Sequence, residues 1–315
     1  MKFQIETFTN VGAQEWEQLS FGASFYGSRD WSLACSHALS GDVIVLTLRD
    51  RKKLIGGFPG IITTRLGMKT LASMPFGTYG GVVWRDAPSD AQQQAFREGF
   101  ANFLTDQSIG KAHVADYSGT FSALNIDGFS TSRHSTQILS LGREPYRPDK
   151  KTMTEIKKGE QVGGEIRQLN DASAIDSYFD LYKHTEARHG RKKLLYSHEF
   201  FNKLLSSLLS SPKLYWIGLF DGDRMLGAQI HFIDGDCQYY WQAASADESR
   251  DYRTDYRLLY NAIQCGQSRG VREMNMGASP DDAHGLVFFK KRWGSVKKVY
   301  AVFEYKSNFR KLIGR

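Results

Sequence analysis

The chain has 315 residues, of which 41% are hydrophobic and 24% charged, and this length allows a large core and two domains. No window approaches the unbroken apolar run of a transmembrane helix. The first ten residues alternate like a strand and lack the apolar core of a signal peptide, so we expect a cytoplasmic protein. The net charge of +7 favours a polyanionic partner, such as RNA, a phosphorylated sugar, coenzyme A or an anionic membrane face. A basic surface with no special partner is the alternative.

The cysteine spacing argues against the usual metal and disulfide patterns. Cys35, Cys237 and Cys265 lie far apart and form no Cys-x-x-Cys pair. No cluster of histidine, cysteine and aspartate has the spacing of metal ligands either. We therefore expect buried cysteines, no metal site and no tightly bound cofactor.

Hydrophobic periodicity predicts an α+β order in the first half of the chain. The helical pattern is clear in residues 89–106, where Phe96, Phe100 and Phe103 recur on one face. Residues 75–81 form a loop that is too rich in glycine for regular structure. The predicted strands are residues 2–7, 43–48, 54–64, 69–74, 112–117 and 136–141, and the predicted helices are residues 13–19, 30–39, 89–106 and the short 119–125.

Two prolines mark the predicted domain boundary. Pro145 and Pro148 interrupt both helix and sheet, which divides the chain into domains of residues 1–146 and 147–315. The same order of elements returns after the boundary, so two copies of one α+β unit explain the chain better than a single large sheet. The later predicted strands are residues 165–169, 214–220, 224–233, 237–245, 271–276 and 296–304, and the later predicted helices are residues 173–187, 197–209 and 256–267, with a short one before the last strand.

Residues 275–294, NMGASPDDAHGLVFFKKRWG, combine small residues, a histidine, two aspartates and three cations with bulky aromatics. The stretch opens at the end of a predicted buried strand, breaks into a polar loop and closes on an amphipathic helix with a glycine cap. A loop that leaves the carboxyl end of a strand is a usual place for a binding site. A solvated loop followed by a surface helix is the alternative.

This order resembles the GNAT acyltransferase fold, and its duplication resembles the Fem-type aminoacyltransferases and other Fem-like proteins. The most specific match is Phe289-Lys290-x-x-Trp293-Gly294, which resembles the Fem-type Phe-Lys-x-x-aromatic-Gly signature. Residues 73–81, SMPFGTYGG, resemble the family's loop after the fourth strand. The resemblance implies two tandem GNAT-like domains, each a mixed, mostly antiparallel sheet flanked by helices. It also implies the addition of amino acids from aminoacyl-tRNA to peptidoglycan precursors.

Two departures from the family patterns bear on the donor. GNAT enzymes that use acyl-CoA carry a glycine-containing turn, whose backbone N–H groups hold the pyrophosphate at a helix start. The matching residues 249–256, SRDYRTDY, contain no glycine, and the first half of the chain lacks the turn as well. Aminoacyl-tRNA is therefore the expected donor, ahead of acyl-CoA. The long helical-hairpin insertion of some tRNA-dependent members is also absent, which resembles the insertion-free subgroup.

Three residues are candidates for catalysis of amide formation, which needs a positioned amine, a stabilised oxyanion and a route for the proton. The family motif implies that Lys290 lies near substrate, where its charge stabilises an oxyanion or a phosphate; a solvated lysine is the alternative. Asp116 ends a strand and is expected to orient or deprotonate the acceptor amine, unless it is a satisfied strand-end carboxylate. His284 would titrate near neutrality, although lone loop histidines are more often incidental.

The candidates for substrate binding lie in the loop after the fourth strand and around the second-half helices. Phe76, Tyr79, Gly80 and Gly81 are expected to form one wall of the acceptor site, where the two glycines allow close approach to the backbone. Arg253 and Tyr256 lie where a GNAT enzyme would bind its donor, and Arg253 is expected to hold a phosphate, with a solvent-facing helix start as the alternative. Arg188 and Lys192 are expected to meet phosphates of RNA or of a nucleotide-sugar, with water as the alternative. The predicted substrate-binding residues are Phe76, Tyr79, Gly80, Gly81, Arg188, Lys192, Tyr196, Tyr239, Arg253, Tyr256, Ser279, Phe289 and Trp293.

The expected activity is transfer of an aminoacyl or acyl group to an amine of a cell-envelope precursor, either a peptidoglycan peptide or a polysaccharide amino sugar. tRNA is the expected carrier of the donor, and peripheral contact with an anionic membrane is a further expectation. No RNA-recognition or helix-turn-helix signature appears, and we expect no DNA partner. The alternatives are acyl-CoA-dependent N-acylation of envelope sugars and a non-catalytic protein that binds an anionic envelope precursor.

Overall fold

Two units make up the computed structural model, which describes residues 1–20, 24–279 and 283–307. Unit 1 contains residues 1–135 and 299–315, and unit 2 contains residues 136–298. This division differs from the predicted boundary after residue 146, because the last strand of the chain pairs within unit 1. The two aspartates of the 275–294 stretch lie outside the described residues.

Thirteen strands and nine α-helices form within the described ranges. The strands are β1 (Lys2–Glu6), β2 (Asp42–Asp50), β3 (Lys53–Arg65), β4 (Met68–Ala72), β5 (Val83–Trp84), β6 (Ile109–Asp116), β7 (Phe129–Ser140), β8 (Glu165–Gln168), β9 (Leu214–Asp221), β10 (Arg224–Asp234), β11 (Cys237–Ser245), β12 (Glu273–Ala278) and β13 (Val296–Lys306). The helices are α1 (Phe8–Val11), α2 (Ala13–Ser20), α3 (Arg29–Leu39), α4 (Asp90–Asp106), α5 (Lys150–Val162), α6 (Ala174–Arg188), α7 (His198–Leu208), α8 (Thr254–Ser268) and α9 (His284–Arg292).

In unit 1 the strands pair in the order β1-β2-β3-β4-β6-β13, and β5 pairs with β3. Neighbouring strands are antiparallel, except that β4 and β6 run parallel. The face of α4 that helical spacing predicted is buried, since Phe96, Phe100 and Phe103 all pack into the core of this unit. Leu71 of β4 and Val114 of β6 belong to the same core.

In unit 2 the strands pair in the order β7-β12-β11-β10-β9-β8, where β7 contributes residues 136–140, and only β11 and β12 run parallel. Two Asp-Gly turns, Asp221-Gly222 and Asp234-Gly235, join β9, β10 and β11, and both glycines have a φ of 58°. A positive φ is what a tight hairpin turn requires, and glycine adopts it without steric cost. Both units thus contain mixed, mostly antiparallel strands flanked by helices, which confirms the predicted α+β fold class.

Helix α5 was not predicted, and its buried face explains why. That face consists of Thr152, Ile156 and Gly159, so it carries only one large apolar side chain. The helix nevertheless has a clear N-cap, because the Thr152 N–H donates to Asp149 Oδ1 at 2.6 Å. Small and polar contact residues give a weak hydrophobic period, so sequence periodicity does not detect this helix.

Helix α5 packs tightly against the start of α8. A Cβ on Gly159 would lie 2.3 Å from the carbonyl oxygen of Tyr252. The guanidinium of Arg257 on α8 donates to the carbonyls of Gly159 (3.1 Å), Gly164 (2.9 Å) and Gly163. One buried arginine therefore binds the last carbonyls of α5 and fixes this helix beside the segment that leads into α8.

Within residues 1–20, 24–279 and 283–307, none of the helices combines the length and the apolar character that crossing a membrane requires.

Replacing Gly159 with alanine tests the packing of α5 on α8. The added methyl group meets a backbone carbonyl, so we expect Gly159→Ala to lower the free energy of unfolding by about 2 kcal/mol or more. The matched control is Gly285→Ala in α9, where nothing lies within 4 Å of the added Cβ. The control should be neutral or stabilising by up to about 1 kcal/mol. Urea unfolding of both variants measures the difference, and equal stability would contradict the close approach.

Candidate functional site

The parallel strands β11 and β12 pair only near their amino ends. The ladder runs from Cys237 opposite Glu273 to Tyr239 opposite Asn275. Beyond that point β11 continues along β10 as far as Ser245, and β12 becomes irregular against β7 after Asn275. Divergent parallel strands leave backbone polar groups at their carboxyl ends for other partners. This end of β12 is where the candidate site lies.

Lys290 of α9 is buried at the carboxyl end of β12, with 3% of its surface exposed. Its Nζ donates to the carbonyl oxygens of Gly277 (2.9 Å) and Ala278 (3.0 Å) and to Ser279 Oγ (3.0 Å). These three acceptors match the three donors of an ammonium group. In the described ranges no carboxylate lies within ion-pair distance of Lys290, so only neutral oxygens hold its positive charge.

Burial has a marked effect on the protonation of this lysine. Loss of hydration lowers the pKa of Lys290 from its ordinary 10.5 to about 8. The amine is therefore still mostly protonated near neutral pH, but its charge is incompletely stabilised. An anion that enters beside it would raise this pKa again and would be bound more tightly in return, because protonation and anion binding are linked. The site therefore favours the binding of an anion beside Lys290.

Aromatic packing holds α9 in place around Lys290. Tyr256 of α8 lies 5.3 Å from the ring of Phe289 and 6.1 Å from that of Trp293, measured between ring centroids. Arg292 donates to the Tyr256 hydroxyl at 2.8 Å and stacks over the same ring. The Trp293 carbonyl accepts from the Tyr146 hydroxyl at 2.6 Å. In the Phe-Lys-x-x-Trp-Gly motif the aromatic residues thus position the helix, and the lysine carries the charge.

The structure brings Tyr256, Ser279, Phe289, Lys290 and Trp293 together and places Arg253 at the start of α8. Arg253 has a φ of 49°, and its Nε lies 2.7 Å from Glu155 Oε2 on α5. A carboxylate therefore occupies the neighbourhood of the arginine that was predicted to hold donor phosphates. Glu155 was not predicted, because the helix that carries it was missed.

At the end of α6 and in the segment before α7, the predicted residues Arg188, Lys192 and Tyr196 have separate environments. Arg188 donates to Ser245 Oγ at 2.9 Å and to the Ser245 carbonyl at 3.2 Å, so it holds the end of β11. Tyr196 stacks on Phe200 with 4.4 Å between ring centroids, whereas Lys192 is exposed. Two further predicted residues differ in environment: Tyr239 is buried opposite Asn275, and His284 is exposed at the first position of α9.

In unit 1 the predicted residue Asp116 is a buried carboxylate with one unsatisfied oxygen. Its Oδ2 accepts from the backbone N–H and the hydroxyl of Ser122, both at 2.7 Å. Its Oδ1 is inaccessible to solvent and accepts no hydrogen bond from any described residue. A Cβ on Gly81 would lie 2.8 Å from Thr120 Oγ1, 3.1 Å from Asp116 Oδ1 and 3.3 Å from Ser118 Oγ, so the absence of a side chain lets this backbone approach the carboxylate closely. A buried carboxylate oxygen without a donor is costly and indicates a missing partner.

Two other residues of the predicted acceptor wall, Tyr79 and Gly80, contact the end of β6 and the residue after it. Tyr79 is buried and stacks on Tyr117 at 4.8 Å, and the Gly80 N–H donates to the Ala115 carbonyl at 2.9 Å. A Cβ on Gly80 would lie 2.6 Å from Ser73, so this glycine permits close approach of the chain to itself. Phe76 is half-buried with a φ of 66°.

Sequence reasoning also missed a buried histidine in unit 2. His231 of β10 has no exposed surface, stacks on Tyr240 at 4.9 Å and pairs through Nε2 with Gln229 Oε1 at 3.1 Å. Burial lowers the pKa of His231 to about 3, so it is a neutral core residue. In the described part of the chain no group of three or more metal-ligating side chains is close enough to hold an ion.

Residues 149–291 match the family described as "Acetyltransferase (GNAT) domain". No curated protein matches the sequence. The solved structure of FemX is 12% identical, with 100% of both chains covered and a TM-score of 0.77. The C-terminal domain of a putative lysylphosphatidylglycerol synthetase from Agrobacterium fabrum is 12% identical, with 96% of this chain and 93% of that one covered and a TM-score of 0.61.

A tandem GNAT protein from the clavulanic acid biosynthesis pathway is 10% identical, with 97% of this chain and 98% of that one covered and a TM-score of 0.60. At these identities the likeness to solved structures is one of fold. It confirms the predicted Fem-like, GNAT-type architecture, and the matched domain family supports the acyltransferase class.

Proposed function

Since this chain is an acyltransferase with a Fem-like GNAT fold, we propose that it transfers an aminoacyl or acyl group to an amine of a cell-envelope precursor, either a peptidoglycan peptide or a polysaccharide amino sugar. The observation that carries the proposal is the buried, positively charged Lys290 at the divergent end of β12. A fold shared with FemX and with a putative lysylphosphatidylglycerol synthetase supports the aminoacyl group and the envelope acceptor.

The reaction needs no covalent intermediate on the protein. The neutral amine attacks the carbonyl carbon of the donor ester, so a C–N bond forms and the carbonyl oxygen becomes an oxyanion. The C–O bond of the ester then breaks, and the alcohol leaves with the proton that the amine gives up. The charge of Lys290 stabilises the oxyanion. Of its three acceptors, Ser279 Oγ is the one that rotates away most easily, because the two carbonyls belong to the strand end.

We propose aminoacyl-tRNA, rather than acyl-CoA, as the donor. Residues 249–256 contain no glycine, so side chains surround the backbone where a GNAT enzyme would hold pyrophosphate. Gly159 of α5 packs against Tyr252 in the same segment, and Glu155 places a carboxylate beside Arg253. A carboxylate repels a pyrophosphate. These features support a donor that does not depend on this helix start.

We propose further that Asp116 binds an amine or ammonium group of the acceptor. Its buried Oδ1 has no hydrogen-bond donor among the described residues, and it faces Gly81, a residue of the predicted acceptor loop that has no side chain. An N–H group of the acceptor would satisfy this oxygen with a charge-assisted hydrogen bond. Ser122 holds the other oxygen and so fixes the direction of the carboxylate.

Replacing Lys290 tests its role in stabilising the oxyanion. We expect Lys290→Met to lower kcat by about a hundredfold or more, because the positive charge is lost. Above about pH 8 the wild-type kcat/KM should fall as Lys290 of the free enzyme loses its proton, and Lys290→Arg should move this falling limb to higher pH. Mass spectrometry of the amide product, with charged tRNA and a peptidoglycan precursor peptide, gives the rates.

Lys291→Met is the matched control, since Lys291 is the exposed neighbour on the same helix. It should keep its rate within about twofold. A Lys290→Met variant that folds and retains wild-type kcat would contradict the proposed role, as would an unchanged falling limb in Lys290→Arg.

Binding measurements distinguish the two donors. We expect charged tRNA to bind more tightly than uncharged tRNA, and both to weaken as salt rises, because phosphate contacts release counterions. Acetyl-CoA should show no saturable binding. Titration of the purified protein with each ligand at two salt concentrations provides the comparison. Saturable binding of acetyl-CoA would overturn the donor assignment and would leave the acyltransferase class intact.

Two variants in unit 1 test the binding of an acceptor amine by Asp116. Asp116→Asn keeps the shape but removes the negative charge, and Gly81→Ala places a methyl group 3.1 Å from Oδ1. We expect each to lower kcat/KM for the acceptor by about tenfold or more, mainly through KM, and to leave donor binding unchanged. Asp127→Asn, an exposed carboxylate in the same unit, is the control. An unchanged KM in both test variants would contradict the proposal.

A further inference from the structure

The strand end that holds Lys290 contains a β-bulge. The ladder between β12 and β7 pairs Asn275 with Ile138 and then Ala278 with Thr136. Two residues of β12 therefore lie opposite a single residue of β7, which is the arrangement of a bulge. Gly277, inside this bulge, has a φ of 77°, a left-handed conformation that glycine adopts without steric cost. The chain thus turns at Gly277.

This turn directs two consecutive carbonyl groups towards one ammonium group. In a regular strand, consecutive carbonyl groups point to opposite sides. Lys290 Nζ nevertheless donates to both the Gly277 carbonyl (2.9 Å) and the Ala278 carbonyl (3.0 Å). The irregular backbone at Gly277 is therefore what allows both hydrogen bonds to form.

The side chain of Asn275 stabilises the turn. Its Oδ1 accepts from the backbone N–H of Gly277 at 2.9 Å, which is the two-residue spacing of an Asx turn. The same oxygen accepts from the Thr136 hydroxyl of β7 at 2.7 Å. Asn275 and Thr136 are 2% and 1% exposed, so water does not compete for these hydrogen bonds. Thr136 thus holds the amide oxygen in a fixed position against Gly277.

We propose that Asn275 is a positioning residue for Lys290 and that Thr136 orients it. Asn275 acts through Gly277, whose N–H donates to the amide oxygen and whose carbonyl accepts from Lys290. Replacing Asn275 would release the turn and with it the carbonyls that hold the ammonium group. The consequence for catalysis rests on the proposed role of Lys290, whereas the effect on the ammonium group itself does not.

Titration of Lys290 in the free protein tests the proposal without any substrate. NMR follows its ε-carbon in protein labelled with 13C-lysine, and the Lys290→Arg variant assigns the signal by its loss. The wild-type midpoint should lie at about 8. We expect Asn275→Ala to lower it by about one pH unit, because the released carbonyls stabilise the charge less while α9 stays packed. Thr136→Val, which keeps the branched shape but lacks the hydroxyl, should lower it by about half a unit.

The other ionisable groups around α9 leave this comparison intact. Tyr146, Tyr240 of β11 and Tyr256 of α8 contact α9 or Gly277. Burial raises the pKa of all three tyrosines above the ordinary value, so they stay neutral over the titration. The neighbouring cations of α9 are the same in every variant, so they do not contribute to the difference in midpoint.

Kinetics then measure the catalytic consequence of the same substitutions. Asn275→Ala should lower kcat by about tenfold or more and leave KM for the donor within about twofold, because the charge is displaced from the oxyanion. Its falling limb of kcat/KM should move to lower pH together with the NMR midpoint. Thr136→Ser restores a hydroxyl and should titrate and react like the wild type.

Asn261→Ala is the matched control, since Asn261 of α8 accepts from the Tyr215 hydroxyl at 2.7 Å in the same unit. It removes a comparable hydrogen bond and should leave the Lys290 midpoint and kcat unchanged. An unchanged midpoint in both Asn275→Ala and Thr136→Val, or a shift towards the ordinary 10.5, would overturn the proposal. Shifted midpoints together with wild-type kcat in Lys290→Met would support the positioning by Asn275 and refute the catalytic role of Lys290.

Discussion

The candidate site depends on one buried charge, the ammonium group of Lys290, whose hydrogen-bond acceptors among the described residues are all neutral oxygens. Its three hydrogen bonds fix the last residues of β12, where the parallel ladder with β11 has already ended. A carboxylate partner would have satisfied the charge within the fold and left no attraction for a ligand. Because burial lowers the pKa of Lys290 to about 8, the group remains charged near neutral pH and favours an incoming negative charge.

The support for this site comes from helices that meet at the start and along the side of α8. Arg257 binds three carbonyls of the α5 end, and Tyr256, the preceding residue, contacts α9 through Phe289 and Arg292. One turn of α8 therefore contacts both the helix that covers its amino end and the helix that carries the charge. The same packing places Glu155 beside Arg253, which makes the helix start less suitable for a phosphate.

Each unit contains one pair of parallel strands, and the carboxyl ends of the two pairs differ in chemistry. In unit 1 the loop with Tyr79 and Gly80 closes against β6, and a buried carboxylate, Asp116, retains one oxygen without a donor. In unit 2 the corresponding end holds the positive charge of Lys290. The repeated architecture has thus diverged to present a negative group in one unit and a positive group in the other, which is consistent with different roles for the units.

The sequence by itself determined most of the elements, the α+β class, and the Lys290 motif, because helical spacing, Asp-Gly turns and a specific short motif are local signals. It did not reveal α5, whose buried face is Thr152, Ile156 and Gly159, or the return of β13 to unit 1. Only the tertiary structure decided that Lys290 is buried and that Glu155 faces Arg253, since burial and long-range pairing depend on residues far apart in the chain.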